Sequence, residues 1–145
     1  MTPTLPDLLT GQSLSLAMPM PPEAAGDYMV GRLGLMAMIA ILAAQEAERG
    51  VAARVWENAA LRALFDKAAS RYDPLSIGSL AEAADGVDDD LSWSALDRAN
   101  ATLRRLLIAL HEAVELAGDT EKDREIIVLY QAMAHHRRLE IPGPA

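Results

Sequence analysis

The stretch Leu33–Ala44, "LGLMAMIAILAA", constrains the fold more than any other, because it runs twelve residues without a polar side chain. A membrane-spanning helix needs about 20 apolar residues. The seventeen positions from Tyr28 to Ala44 are interrupted by Arg32 and followed at once by Gln45, Glu46, Glu48 and Arg49. No span is therefore expected. An ordinary surface helix carries one apolar stripe, whereas this segment is apolar on every side. It reads as a helix enclosed all round. A 145-residue chain with one Phe, two Trp and three Tyr has little bulk to enclose it. The covering surface is expected to come from another copy of the chain or an unidentified protein partner, with membrane association through 28–44 as the lesser alternative.

The rest of the composition points to helices. Ala, Leu, Arg, Glu and Met, all strong helix formers, dominate, while the β-branched and aromatic residues of strands are sparse. Helix boundaries can be read from capping and breaking residues. A helical region runs from about 24 to 72 and stops at Asp73-Pro74, since a proline pushes its predecessor out of helical geometry. Gly50 could divide it, but no capping residue follows closely, and a mid-helix Gly costs only about 1 kcal/mol. One long helix, kinked at most near Gly50, is the preferred reading. The small residues of "GRLG" (31–34) lie within this helical pattern. They suit close approach of another helix rather than a phosphate cradle.

Beyond a connection holding a short helix near Ser79–Ala84, two further long helices are expected at about 92–117 and 120–139. The first carries Leu96, Asn100, Leu103, Leu107, Leu110, Val114 and Ala117 at alternating spacings of four and three, a coiled-coil-like seam containing an Asn. Leu106, Ile108 and Ala113 widen it to a bundle face. The second, capped by Asp119 or Thr120, turns Ile126, Ile127, Tyr130, Met133 and Ala134 inward. Its acidic start and its end at "HHRR" (135–138) both complement the helix dipole. The acidic run Asp88–Asp90 lacks the ligand spacing of a calcium loop and reads as dipole capping. Residues 1–22, with five prolines, read as an extended arm whose Leu14, Leu16, Met18 and Met20 alternate along one face. The fold class is thus an all-α helical bundle: an N-terminal arm (1–22), then one domain (23–141) around a central, largely buried helix (28–48, continuing to 72).

Functional chemistry is sparse. The absence of Cys removes disulfides, thiolate catalysis and Cys-ligated metal centres together, and fits a reducing cytoplasm. A net charge of −8 argues against nucleic acid as a partner. No Lys or Arg precedes Arg32, so no secretory signal is expected. His111 and Glu115 stand one helical turn apart and are the metal candidates, yet no Glu-x-x-His of the two-metal carboxylate bundles occurs. Read as an i, i+4 pair they need no ion. A phosphotransfer histidine is excluded by Val114 and Glu115, which stand where Lys and Gly would follow it. No nucleophile–base set, phosphate loop or nucleophile elbow can be assembled.

The sequence therefore reads as a non-catalytic, self-associating protein with a structural, regulatory or scaffolding role. Its interface would draw on Leu33, Met36, Met38, Ile39, Trp93, Leu14 and Leu16, and no cofactor is expected. The alternative is a helical-bundle enzyme or a ligand- or metal-binding protein. Its site would lie near His111 and Glu115, with Glu46 and Glu57 as further polar groups.

Overall fold

The computed structural model describes residues 5, 7–9, 11–12, 25–73 and 79–140. Among these the regular structure is entirely α-helical apart from a 3-10 residue at Asp73. Beyond the helical residues among 5–12, four helices follow in order: α1 (Ala25–Tyr72), α2 (Leu80–Asp85), α3 (Trp93–Leu116) and α4 (Thr120–His136). The chain forms two compact units. Met1–Gly50 with Leu139–Ala145 make one, and Val51–Arg138 the other.

Helix α1 is a single helix of 48 residues. Gly50 does not end it, in keeping with the missing cap beyond that residue. It stops where Asp73 precedes Pro74, and the Asp73 carboxylate then accepts the backbone N–H groups of Leu80 and Ala81 at 2.6 and 3.1 Å. Those are orphan donors of the first turn of α2. Ser79 caps that helix through its hydroxyl, which accepts from the Glu82 N–H at 3.0 Å. The sequence places this short helix almost where it lies.

Helices α3 and α4 meet through a tight glycine turn. Gly118 has φ +65°, a left-handed conformation that favours glycine. The Gly118 N–H donates to the Glu115 carbonyl and the Asp119 N–H to the Val114 carbonyl, the paired bonds of a Schellman motif. Asp119 then caps α4 by accepting from the Lys122 N–H at 3.1 Å. Termination of one helix and initiation of the next thus occupy two consecutive residues.

The core of the 51–138 unit joins one side of α1 to α2, α3 and α4. Leu61, Leu64, Phe65, Ala68 and Tyr72 pack with Leu80, Leu103, Leu107, Leu110, Val114, Ile126 and Met133. Six of the seven seam positions expected on α3 are buried, Asn100 included; Ala117 is exposed at the C-cap. The bundle face is narrower than composition suggests. Ile108 is exposed on α3, and Ile127 and Ala134 on α4. Helix α4 also stops three residues early, at His136, with Arg137 at its C-cap.

Two expectations change. In the N-terminal zone the described residues Leu5, Asp7, Leu8, Leu9, Gly11 and Gln12 are helical rather than extended. Proline is compatible with a helix's first turn, so a proline-rich zone limits helix length without forbidding a short one. Leu14, Leu16, Met18 and Met20 lie outside the described residues. The second change concerns residues 28–48, expected to be largely buried. Within this chain, Met29, Leu35, Met38 and Ile41 are exposed, and Ala43 and Glu46 are the buried positions described there. The segment is apolar on all sides, but its own chain covers only part of it.

In the unit containing residues 1–50, Gln45 ties α1 to the C-terminal segment. Its side-chain amide donates to the Glu140 carbonyl at 2.7 Å, and its Oε1 accepts the Glu140 N–H at 2.8 Å. The same Oε1 accepts from Arg49 at 2.8 Å.

Candidate functional site

Polar chemistry in the 51–138 unit gathers in two places. The first is a buried network crossing the bundle. Glu57 and Asn58 on α1 are completely buried, as is nearly all of Asn100 on α3. The Arg137 Nε donates to Glu57 Oε2 at 2.6 Å, and its Nη2 donates to Asn100 Oδ1 at 2.8 Å. The Asn100 amide donates to Asn58 Oδ1 at 3.0 Å. The Asn58 amide in turn donates to Asp88, whose carboxylate also takes both terminal nitrogens of Arg62 at 3.0 and 2.7 Å. The chain Glu57–Arg137–Asn100–Asn58–Asp88–Arg62 thus links α1, α3, the α2–α3 loop and the end of α4.

Electrostatics follow from this arrangement. The Arg62 guanidinium, with help from the Asn58 amide, holds the Asp88 carboxyl below its ordinary range, against the opposing effect of burial. Glu57 Oε1 has no hydrogen-bond donor among the described residues, and the Arg104 guanidinium stands 3.8 Å away. Taking one partner from a buried charge pair costs about 3–5 kcal/mol, because the other is left uncompensated. The paired groups of the network also fix register, since a shifted helix would strand several of them.

The sequence marks Asn100 as a seam polar residue awaiting a partner, and Asn58 and Arg137 both answer it. Two other sequence readings change. Asp88 pairs with Arg62 rather than capping a helix, while Asp90 does support the start of α3 by accepting the Ser92 N–H at 2.8 Å. Arg137, read as dipole complementation, reaches into the bundle instead. Its neighbour His136 stacks on Trp56, with ring centroids 3.7 Å apart and planes 21° apart.

The second place is the α3–α4 corner. His111, in the penultimate full turn of α3, has Nε2 2.9 Å from Asp123 Oδ1 and 3.8 Å from Glu115 Oε1. The i, i+4 neighbour is thus the weaker partner. Asp123, in the early turns of α4, is the closer one, delivered by the Gly118 turn. All three ligand-type atoms lie within 4.8 Å of one another. The Tyr130 ring tilts against the imidazole with centroids 5.6 Å apart. A cleft of about 290 Å³ lined by Val114, Glu115, Gly118, Asp119, Thr120 and Asp123 opens beside them. Nearby, Asp119 accepts from Tyr72 Oη at 2.8 Å and pairs with Arg71 at 2.6 Å. The Lys122 N–H bond, together with these contacts, keeps the Asp119 carboxyl low, while burial raises the Tyr72 hydroxyl.

The proposed interface residues separate. Met38 is exposed, and Met36 and Ile39 are half-buried; the Leu33 side chain lies outside the described residues. Trp93 is half-buried, with the Arg54 guanidinium 4.0 Å over its ring. Arg54 itself donates to Asp97 at 2.9 Å. One face of that indole is therefore already occupied within the chain. Glu46 is buried in α1, in the other compact unit from the His111 corner.

Among the described residues no helix is long and apolar enough to cross a membrane. Comparison with family models, curated proteins and solved structures finds no match to this chain.

Proposed function

We propose that this is a non-catalytic helical protein that assembles with further copies of itself through the 25–50 half of α1, in a structural, regulatory or scaffolding role. The observation carrying this reading is the exposure of Leu35, Met38 and Ile41, one helical turn apart, on a segment with hardly any polar residue. Each is still 36–44% exposed, and removing that remaining apolar area from water adds stabilisation at roughly 25 cal/mol per Å².

A second copy is the favoured occupant because of the seam beside them. Ala37, Ala40, Ala44, Ala47 and Val51 are all exposed and alternate at spacings of three and four, the period of helices that wrap around one another. Alanine at those positions permits close approach of backbones, and a twofold pairing makes one seam complementary to its own copy. A cytoplasmic location belongs to this reading, supported by the cysteine-free composition. The 51–138 unit supplies a body held in fixed register by its buried network.

Light scattering over a range of concentrations tests it. The wild-type chain is expected to give a mass of two or more chains, and the combined change Leu35→Glu, Met38→Glu and Ile41→Glu a single-chain mass with helical content retained. A wild-type chain that stays monomeric at every concentration would overturn the reading.

A further inference from the structure

We propose that His111, Glu115 and Asp123 form a binding site for one divalent transition-metal ion of the zinc class. The proposal is independent of self-association and concerns the 51–138 unit alone.

Three observations converge on it. The donor set is one imidazole nitrogen and two carboxylate oxygens, a mixture suited to zinc-class ions rather than to the all-oxygen shells of calcium or magnesium. The spacing is also right. Around an ion with ligand bonds of about 2.0–2.2 Å in tetrahedral geometry, neighbouring ligand atoms stand roughly 3.3 Å apart. The observed separations from His111 Nε2, 2.9 Å to Asp123 and 3.8 Å to Glu115, lie on either side of that figure. Small rotamer adjustments bring all three onto one ion, and the Glu115 side chain, 66% exposed, is free to make the largest of them.

Support and access complete the case. The Schellman turn at Gly118 and the Asp119 cap fix α4 against α3, so the ligands from the two helices are held by backbone hydrogen bonds. The adjoining cleft, lined by Glu115 and Asp123 among others, leaves room for water in the remaining coordination position. Binding requires Nε2 without its proton, which then resides on Nδ1; the Asp123 contact to Nε2 is exchanged for a shared ion. Affinity is accordingly expected to fall as the pH drops, because protons compete with the ion for its ligand atoms.

The test is titration of chelator-treated, full-length protein with Co²⁺, followed by its visible ligand-field bands, and with Zn²⁺, followed by calorimetry and thermal unfolding. Wild type is expected to take up one equivalent and to unfold at a higher temperature when loaded. His111→Ala and Asp123→Asn should each weaken binding at least about tenfold, with Glu115→Gln weakening it less. His135→Ala, on an exposed histidine elsewhere, should bind as wild type does. Asp123→Asn preserves shape and hydrogen bonding, so it decides the matter even if His111→Ala folds poorly. Absence of one-equivalent binding, or binding that persists in the His111→Ala and Asp123→Asn proteins, would overturn the proposal. So would a loss confined to His135→Ala.

Discussion

Leu35 and Ile41 stand in the apolar half of α1 and are 44% and 40% exposed, whereas Glu57 and Asn58, in the charged half of the same helix, are completely buried. Hydropathy alone would assign these environments the other way round. The difference lies in what each half is offered. Residues 51–72 meet three other helices carrying a matching seam and matching polar partners, namely Asn100, Arg137 and Asp88. Among the described residues of 25–50, Met29, Leu35, Met38 and Ile41 stay exposed. Burial follows from available partners, and a buried carboxylate is tolerated where a guanidinium is placed to receive it.

The contrast can be broken most forcefully at Glu57. Replacing it with Ala leaves Arg137 facing the bundle without its carboxylate, and urea unfolding should show a loss of about 3–5 kcal/mol. A loss below about 1 kcal/mol would mean that the network is weakly coupled to folding.

Acid titration sharpens the same point. The Asp88, Asp119 and Glu125 carboxyls are all held low, by Arg62, by the Lys122 N–H and by the Lys122 ammonium respectively. Each binds its proton more weakly folded than unfolded. The stability they contribute is therefore complete above the ordinary carboxylate range near pH 4, and is lost as the pH falls through and below it. Thermal unfolding between pH 7 and 3 should show this decline, and Asp88→Asn should flatten it. A profile unchanged by that substitution would remove Asp88 from the account.

The smallest effect is expected in the other half. Ile41→Ala, measured at a concentration where the chain is monomeric, should alter unfolding by no more than about 0.5 kcal/mol, as at other exposed positions. A larger loss in the monomer would show that Ile41 packs within its own chain, and would narrow the surface left for a second copy.

Much of the fold was legible because its signals are local. The Asp73-Pro74 stop, the Ser79 cap, the three-and-four spacing on α3 and the Gly118 turn each act within a few residues of chain. The site was legible only in part. Sequence paired His111 with Glu115, since both sit on one helix, but Asp123 comes from the next helix and needed the geometry of the turn. Arg137 resembled any basic residue at a helix end, and nothing near it in sequence announces Glu57, 80 positions away.

The sequence by itself determined that the chain is helical, where most of its helices end and which α3 positions face inward, because propensity, capping and periodicity are properties of neighbouring residues. Tertiary structure decided which side of α1 is covered, that Asn58 answers Asn100, and that Asp123 joins His111. Those outcomes depend on which side chains from distant segments arrive at the same place with complementary charge and hydrogen-bonding groups.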